Sequence, residues 1–377
     1  MDDELLAQKL PLAERNPRPE DPALTPPSVW MKSFFVGGQI FLGTLHVVVV
    51  HSSSHSKALA ANQSTETVDD DTPKEAEQRS YAYSAVLLIL LSEILKLAFS
   101  LGAFAWIATR SRESMQSAKD QLRVAYEGQF LRFGLPALVY AVENHIRFAV
   151  LKQLDSPVTW VVFSHSEIPI VALMTTFFLG RQLTSIQWVS VVLLVDGVMA
   201  SQVSICESKI GVRCEHLRDF PLPALLMVLL SALMAATAGT ACEFLFKANY
   251  STSIHLQNAQ LYMWGVVTNV AVLAVQEQRR MSQGTLWGGF DSEAFLILMT
   301  MATQGLCVAA VVKHMSNVAK VYASAVGLFV AAIMSALMSD FNISLPFTLA
   351  GVVVVCALFL YHQDKPNCDG RSHSAAA

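Results

Sequence analysis

The chain has 377 residues, 53% of them hydrophobic and only 15% charged, with a net charge of -4. A soluble domain carries roughly 25% charged residues and gives its helices a wet face, so this composition excludes a soluble globule. The small net charge excludes a general nucleic-acid binder, and six cysteines are too few for a disulfide scaffold.

In chain order, Met1 to Val29 is polar, rich in Pro and acid, and has no apolar h-region, so it is not a cleavable signal peptide. It reads as a disordered cytosolic tail. Apolar stretches of spanning length then predict ten transmembrane helices, at about 30–51, 82–108, 131–152, 158–179, 186–204, 222–246, 259–276, 293–312, 320–339 and 344–362. The His/Ser and acidic stretch from His51 to Arg79 and a second cytosolic tail over 363–377 also read as disordered. The fold class is an all-α membrane protein with one ten-helix bundle over 30–362.

The bundle divides in two. Leu183-Thr-Ser-Ile-Gln-Trp-Val-Ser-Val-Val follows an apolar helix and a short turn, as does Ile343-Ser-Leu-Pro-Phe-Thr-Leu-Ala-Gly-Val, about 160 residues later. Two repeats of five helices follow, at about 30–204 and 222–362, and an odd helix count per repeat inserts the second upside down. The basic loop 109–130, with Arg110, Arg112, Lys119 and Arg123, reads as cytosolic, which places both tails there too. Against it stand Lys209, Arg213 and Arg218 in the lumenal 205–220 loop. The sequon at Asn62 fits a lumenal first loop. A disulfide between Cys206 and Cys214 is left open, while Cys242, Cys307 and Cys356 lie in apolar runs as small hydrophobes.

Ionisable groups at membrane depth are costly, so each marks a partner or a cavity. Glu93 and Lys96 stand at i,i+3 in the second helix and can pair. Tyr140, Asn144 and Arg147 share a face of the third, where Glu143 can pair Arg147. The fourth carries Ser164-His165-Ser166-Glu167, an unusually polar run. Lys313, Asn317 and Lys320, with Ser324 beyond, fall on one face if the ninth helix begins there. Two readings of this stripe stay open: a phosphate seat with Asn as directed donor, or ordinary positive-inside anchors. With Lys247 it would give a cytosolic mouth that attracts anions. The chain has no HExxH, GxSxG, paired GxGD aspartates or GxxxxGK[ST], and Asp196 is a lone carboxylate. Neither catalysis, nor a metal, nor a cofactor is expected.

Four passages resemble the nucleotide-sugar transporter family, in particular its CMP-sialic acid and UDP-galactose branch. Ser92-Glu-Ile-Leu-Lys96-Leu is similar to the family's second-helix E-x-x-K. Pro136-Ala-Leu-Val-Tyr140-Ala-Val-Glu-Asn144 is similar to P-A-x-x-Y-x-x-x-N-N. Leu256-Gln-Asn-Ala-Gln-Leu is similar to R-N-x-Q-L, and Lys313-His-Met-Ser-Asn317-Val-Ala-Lys320 to K-Y-x-D-N-I-x-K.

The resemblance implies an antiporter in the Golgi membrane, less readily the ER, that exchanges a cytosolic nucleotide sugar for a lumenal nucleoside monophosphate. A UDP-sugar is favoured over CMP-sialic acid. It implies that Tyr140 and Asn144 approach the nucleotide, that Lys320 meets phosphate, and that Lys313 and Asn317 support that end. Glu93, Lys96, Arg147, His165 and Glu167 are expected as polar partners within the bundle. Membrane lipid surrounds it, and a homo-oligomer is left open. The family's second Asn is His145 here, its fourth-helix Q-x-K aligns on His165-Ser-Glu167, and its sixth-helix Y-F-E-K aligns on Phe244-Leu-Phe-Lys247. A cation has thus become an acid at Glu167, which leaves three readings open: a carboxylic acid protonated by burial, a carboxylate paired with Lys96, Arg147 or His165, or a site for a less anionic substrate. The alternative is a divergent, non-transporting member that scaffolds glycosylation enzymes.

Overall fold

The structure, a computed structural model of the 377-residue chain, describes residues 30–43, 83–125, 130–153, 165–208, 222–338 and 344–363, together with Leu45, Gly128 and Phe163. All regular structure among these residues is helical. Ten helices form the body: α1 (30–43), α2 (Ala85–Ala108), α3 (Gly134–Gln153), α4 (Glu167–Phe178), α5 (Ser185–Ser208), α6 (Leu222–Ala248), α7 (Ile254–Gln276), α8 (Ser292–His314), α9 (Asn317–Met338) and α10 (Leu345–Gln363). The tails, the 51–79 stretch, the Asn62 sequon and the Cys206–Cys214 pairing lie outside the described residues. Cys242, Cys307 and Cys356 are free thiols.

Five of the helices, α2, α6, α7, α8 and α10, are long and apolar enough to cross a membrane. Shorter apolar helices accompany them at Glu167–Phe178, Ser185–Ser201 and Asn317–Val330. Large apolar side chains such as Trp106, Phe177, Phe178, Val275 and Phe359 stand exposed around the outside, where water would penalise them and lipid does not. The chain is an all-α membrane protein.

Side-chain caps fix several helix starts. Ser84 Oγ accepts from Leu87 N at 3.2 Å to open α2, and Asp291 Oδ1 accepts from Ala294 N at 2.9 Å to open α8. Ser253 caps α7, which therefore begins at Ile254, five residues before the expected 259. The polar run that hid this start is buried, with Gln257, Asn258 and Gln260 all turned inward. The basic 109–130 loop contains an amphipathic helix, Arg112–Val124, opened by Ser111 accepting from Ser114 N at 3.0 Å. A second difference matters more. α8 runs on to His314, the chain turns at Met315 and Ser316, and α9 starts at Asn317, so Lys313 and Lys320 stand on different helices.

Two apolar cores organise the bundle. One joins α4, α5, α9 and α10 through Ile168, Leu194, Val321, Tyr322 and Val354. Here α5 lies along α10 so closely that a Cβ on Gly197 would meet Val354 Cγ2 at 2.8 Å. Small residues permit such close approach, which supplies the packing that drives helix association in lipid. The other core joins α3, α6, α7 and α8 through Phe133, Phe246, Leu261, Tyr262 and Val312. Helix α6 packs against α3, α4, α8 and α9, and so stands between the two cores.

Candidate functional site

A cavity of about 220 Å³ opens where α3, α4, α6 and α9 meet. Its charged lining is Glu143 and Arg147 from α3, Glu167 at the first turn of α4, and Lys320 from α9, with His165 beside them. Ser231, Ala232 and Ala235 of α6 give the small, mostly apolar back wall. The packing explains the space: short side chains on α6 leave room that larger ones would fill.

Two ion pairs line this cavity. Arg147 donates to Glu143 Oε1 through Nη2 at 2.5 Å and Nε at 3.0 Å, and Ser231 Oγ adds a third donor at 3.1 Å. The other pair joins Lys320 Nζ to Glu167 Oε1 at 2.7 Å, across 153 residues of sequence. Lys96, Arg147 and His165 were the partners expected for Glu167; its partner is Lys320. The expected partners stand beside Glu167 or on the helices that precede it, whereas the bundle brings α9 against α4. From behind, Gln39 of α1 donates to Lys320 O at 3.0 Å and to Ser324 Oγ at 3.2 Å, which ties α1 to the Lys320 turn.

The remaining expected residues lie apart. Tyr140 is one turn before Glu143 and packs on the Phe133–Phe246–Tyr262 core. Asn144 is half-buried on the next position of α3. Glu93 and Lys96 pair as the i,i+3 spacing predicts, at 2.5 Å, with Lys96 4.7 Å over the Tyr262 ring. This pair sits against α7 and α8, away from the cavity lining, where Gly265 makes room for Glu93 and Gly305 for Lys96.

Lys313 and Asn317 belong to the α8–α9 turn. Lys313 is 3% exposed, and its ammonium donates to Thr252 O at 2.5 Å and to Gln257 Oε1 at 2.7 Å. Asn317 is fully buried against α6, its amide nitrogen donating to Thr240 Oγ1 at 3.3 Å. A Cβ at Gly239 would come within 2.8 Å of the Asn317 side chain, so glycine is what lets α9 begin there.

Sequence reasoning missed Glu243. Its carboxylate is 1% exposed, accepts Lys247 Nζ at 2.5 Å, and caps α9 by accepting Asn317 N–H at 2.7 Å. Lys247 Nζ also donates to Met315 O at 2.7 Å and so closes the turn. The Phe244-Leu-Phe-Lys247 alignment has no acid at the family's Glu position, but the i,i+4 spacing of Glu243 and Lys247 was the available signal.

Comparison with known proteins identifies the family. The family model described as nucleotide-sugar transporter matches residues 69–362. The chain is similar to CMP-sialic acid transporter 1 of Arabidopsis thaliana, 30% identical over 287 residues that cover 74% of this chain and 81% of that protein. It is 27% identical over 243 residues to the UDP-galactose/UDP-N-acetylglucosamine transporter srf-3 of Caenorhabditis elegans, 64% of each chain. UDP-galactose translocator 1 of the same animal is 23% identical and aligns over 91% of both chains. A solved crystal structure superposes with a TM-score of 0.57 at 11% identity, covering 90% of this chain and 100% of its own, a likeness that bears on fold alone. The chain belongs to the nucleotide-sugar transporter family and is a transport protein, not an enzyme.

Proposed function

We propose that the protein exchanges a cytosolic nucleotide sugar for a lumenal nucleoside monophosphate across the Golgi membrane, with a UDP-sugar preferred over CMP-sialic acid. The observation that carries the reading is the Lys320 ammonium facing a cavity inside an apolar bundle, with the Arg147 guanidinium in the same lining. Two such cations suit a phosphate, and Tyr140 and Asn144 lie on the adjoining stretch of α3 for the nucleotide. Relatives named as CMP-sialic acid and UDP-galactose transporters support the substrate class.

In this reading the bundle is ten spans in two inverted halves, α1–α5 and α6–α10. Exchange symmetry in the packing supports it. Helix α2 packs on α7 and α5 on α10, each on its own counterpart, while α3 on α7 is matched by α8 on α2. Likewise α4 on α6 is matched by α9 on α1, through the Gln39 bonds. Both tails face the cytosol in this arrangement.

One observation favours the scaffolding alternative: Lys320 already has a carboxylate partner. Trans-stimulation separates the two. Liposomes holding the purified protein and preloaded with UMP or CMP are expected to take up a nucleotide sugar faster than empty ones. If no member of a nucleotide-sugar panel shows stimulation with folded protein, the scaffold reading replaces transport.

A further inference from the structure

The four charged residues of the cavity cancel: Arg147 against Glu143 and Lys320 against Glu167. The two pairs are not equivalent. Glu143 is buried to 3% and held by Arg147 and Ser231 together. Glu167 is 23% exposed at the side chain and Lys320 12%, so both remain within reach of a ligand in the cavity. Glu167 also heads α4, where the helix N-terminus favours a carboxylate charge. A carboxylate is thus parked on the lysine that the proposed function assigns to phosphate.

We propose that Glu167 is a resident counter-ion that occupies the anion seat on Lys320, so that a phosphate-bearing substrate binds only by displacing it. Glu167 thereby sets the affinity and charge selectivity of the site. The proposal rests on the reading of Lys320 as a phosphate contact. A carboxylate and a phosphate converging on one ammonium repel each other at contact distance in a low-dielectric cavity, so the two do not share it. A displaced Glu167 stays close to Arg147 in the same lining. Ligands without a phosphate never need Lys320 and are indifferent to Glu167.

The test compares wild-type, Glu167→Gln, Lys320→Ala and the double variant in detergent, by the shift in melting temperature on adding inorganic pyrophosphate, UMP or uridine. Binding to the folded state raises the melting temperature according to ligand concentration over Kd. Pyrophosphate and UMP are expected to act on Glu167→Gln at concentrations about tenfold or more below those for wild type, the scale of one charge-assisted contact. Uridine should act equally on both, and Lys320→Ala should abolish the gain in either background. Glu167→Ala repeats the comparison without the carboxylate, should the Gln variant be unstable. Equal response of wild type and both Glu167 variants overturns the proposal, as does no response by any of them. Trans-stimulated uptake by the wild type judges transport separately, so uptake without a gain at Glu167 removes the counter-ion role and leaves transport standing.

Discussion

The cavity and the α8–α9 turn are built from the same materials, and they use them differently. Each has a lysine paired with a glutamate, Lys320 of α9 with Glu167 of α4 in the cavity and Lys247 with Glu243 on α6 at the turn. At the turn, Glu243 is 1% exposed and holds Lys247 and the Asn317 amide, while Lys247 reaches on to Met315 O. In the cavity, Lys320 and Glu167 face space and each other. Charges that are saturated by backbone and buried neighbours hold architecture, whereas charges paired across a cavity remain available to a ligand.

The largest expected effect tests the architectural side. Glu243→Ala strips the cap from α9 and leaves Lys247 without its carboxylate. Lys247 is 28% exposed and can rehydrate, but the buried Asn317 N–H loses its acceptor and the charge-assisted bond is gone, a cost of about 3 kcal/mol. The melting temperature in detergent and the yield of folded protein should both drop sharply, more than for any cavity variant. A Glu243→Ala protein as stable as wild type would erase the contrast between the two regions.

Next in size is Lys320→Ala, which tests the ligand side. A charge-assisted contact contributes about 1.5–3 kcal/mol, so apparent substrate affinity should weaken about ten- to a hundredfold. Expression should stay near wild type, because the released Glu167 is partly exposed and Arg147 lies nearby. Initial uptake at low substrate reads the effect directly. Unchanged uptake would return Lys320 to the role of a membrane-interface anchor.

How much of this was legible follows the range of each interaction. Apolar runs located α2, α6, α8 and α10 to within a few residues, because hydropathy is a local property of the chain. Glu93–Lys96 and Glu143–Arg147 were legible for the same reason, as i,i+3 and i,i+4 pairs on one helix. The start of α7 was not, since a buried Gln257-Asn-Ala-Gln260 reads as loop until its interior partners are known. Nor was Glu167–Lys320, which exists only after α4 and α9 have packed. The Lys313–Lys320 stripe failed on a single local event, the turn at Met315 and Ser316. No glycine or proline stands in that turn to announce it. Its signal is Glu243 on α6, about 70 residues earlier, waiting to cap the new helix.

That turn yields the smallest expected effect and the sharpest contrast, between two lysines seven positions apart. Lys320 lines the cavity; Lys313 ends α8, buried, with its ammonium on Thr252 O and Gln257 Oε1. Its job in this geometry is to tie the end of α8 to the start of α7 and to set a positive charge at a helix C-terminus. Lys313→Gln removes those contacts but leaves the cavity walls unchanged. Each lost hydrogen bond is worth about 1 kcal/mol net, and the charge at the helix end about 0.3–1 kcal/mol. A modest fall in melting temperature should result, well short of that for Glu243→Ala. Apparent KM for the transported nucleotide sugar should stay within about twofold of wild type, a difference of a few tenths of a kcal/mol. Measuring both on one preparation decides the matter. If KM rises as far as in Lys320→Ala while the melting temperature holds, Lys313 contacts substrate and the stripe is one site despite the turn that divides it.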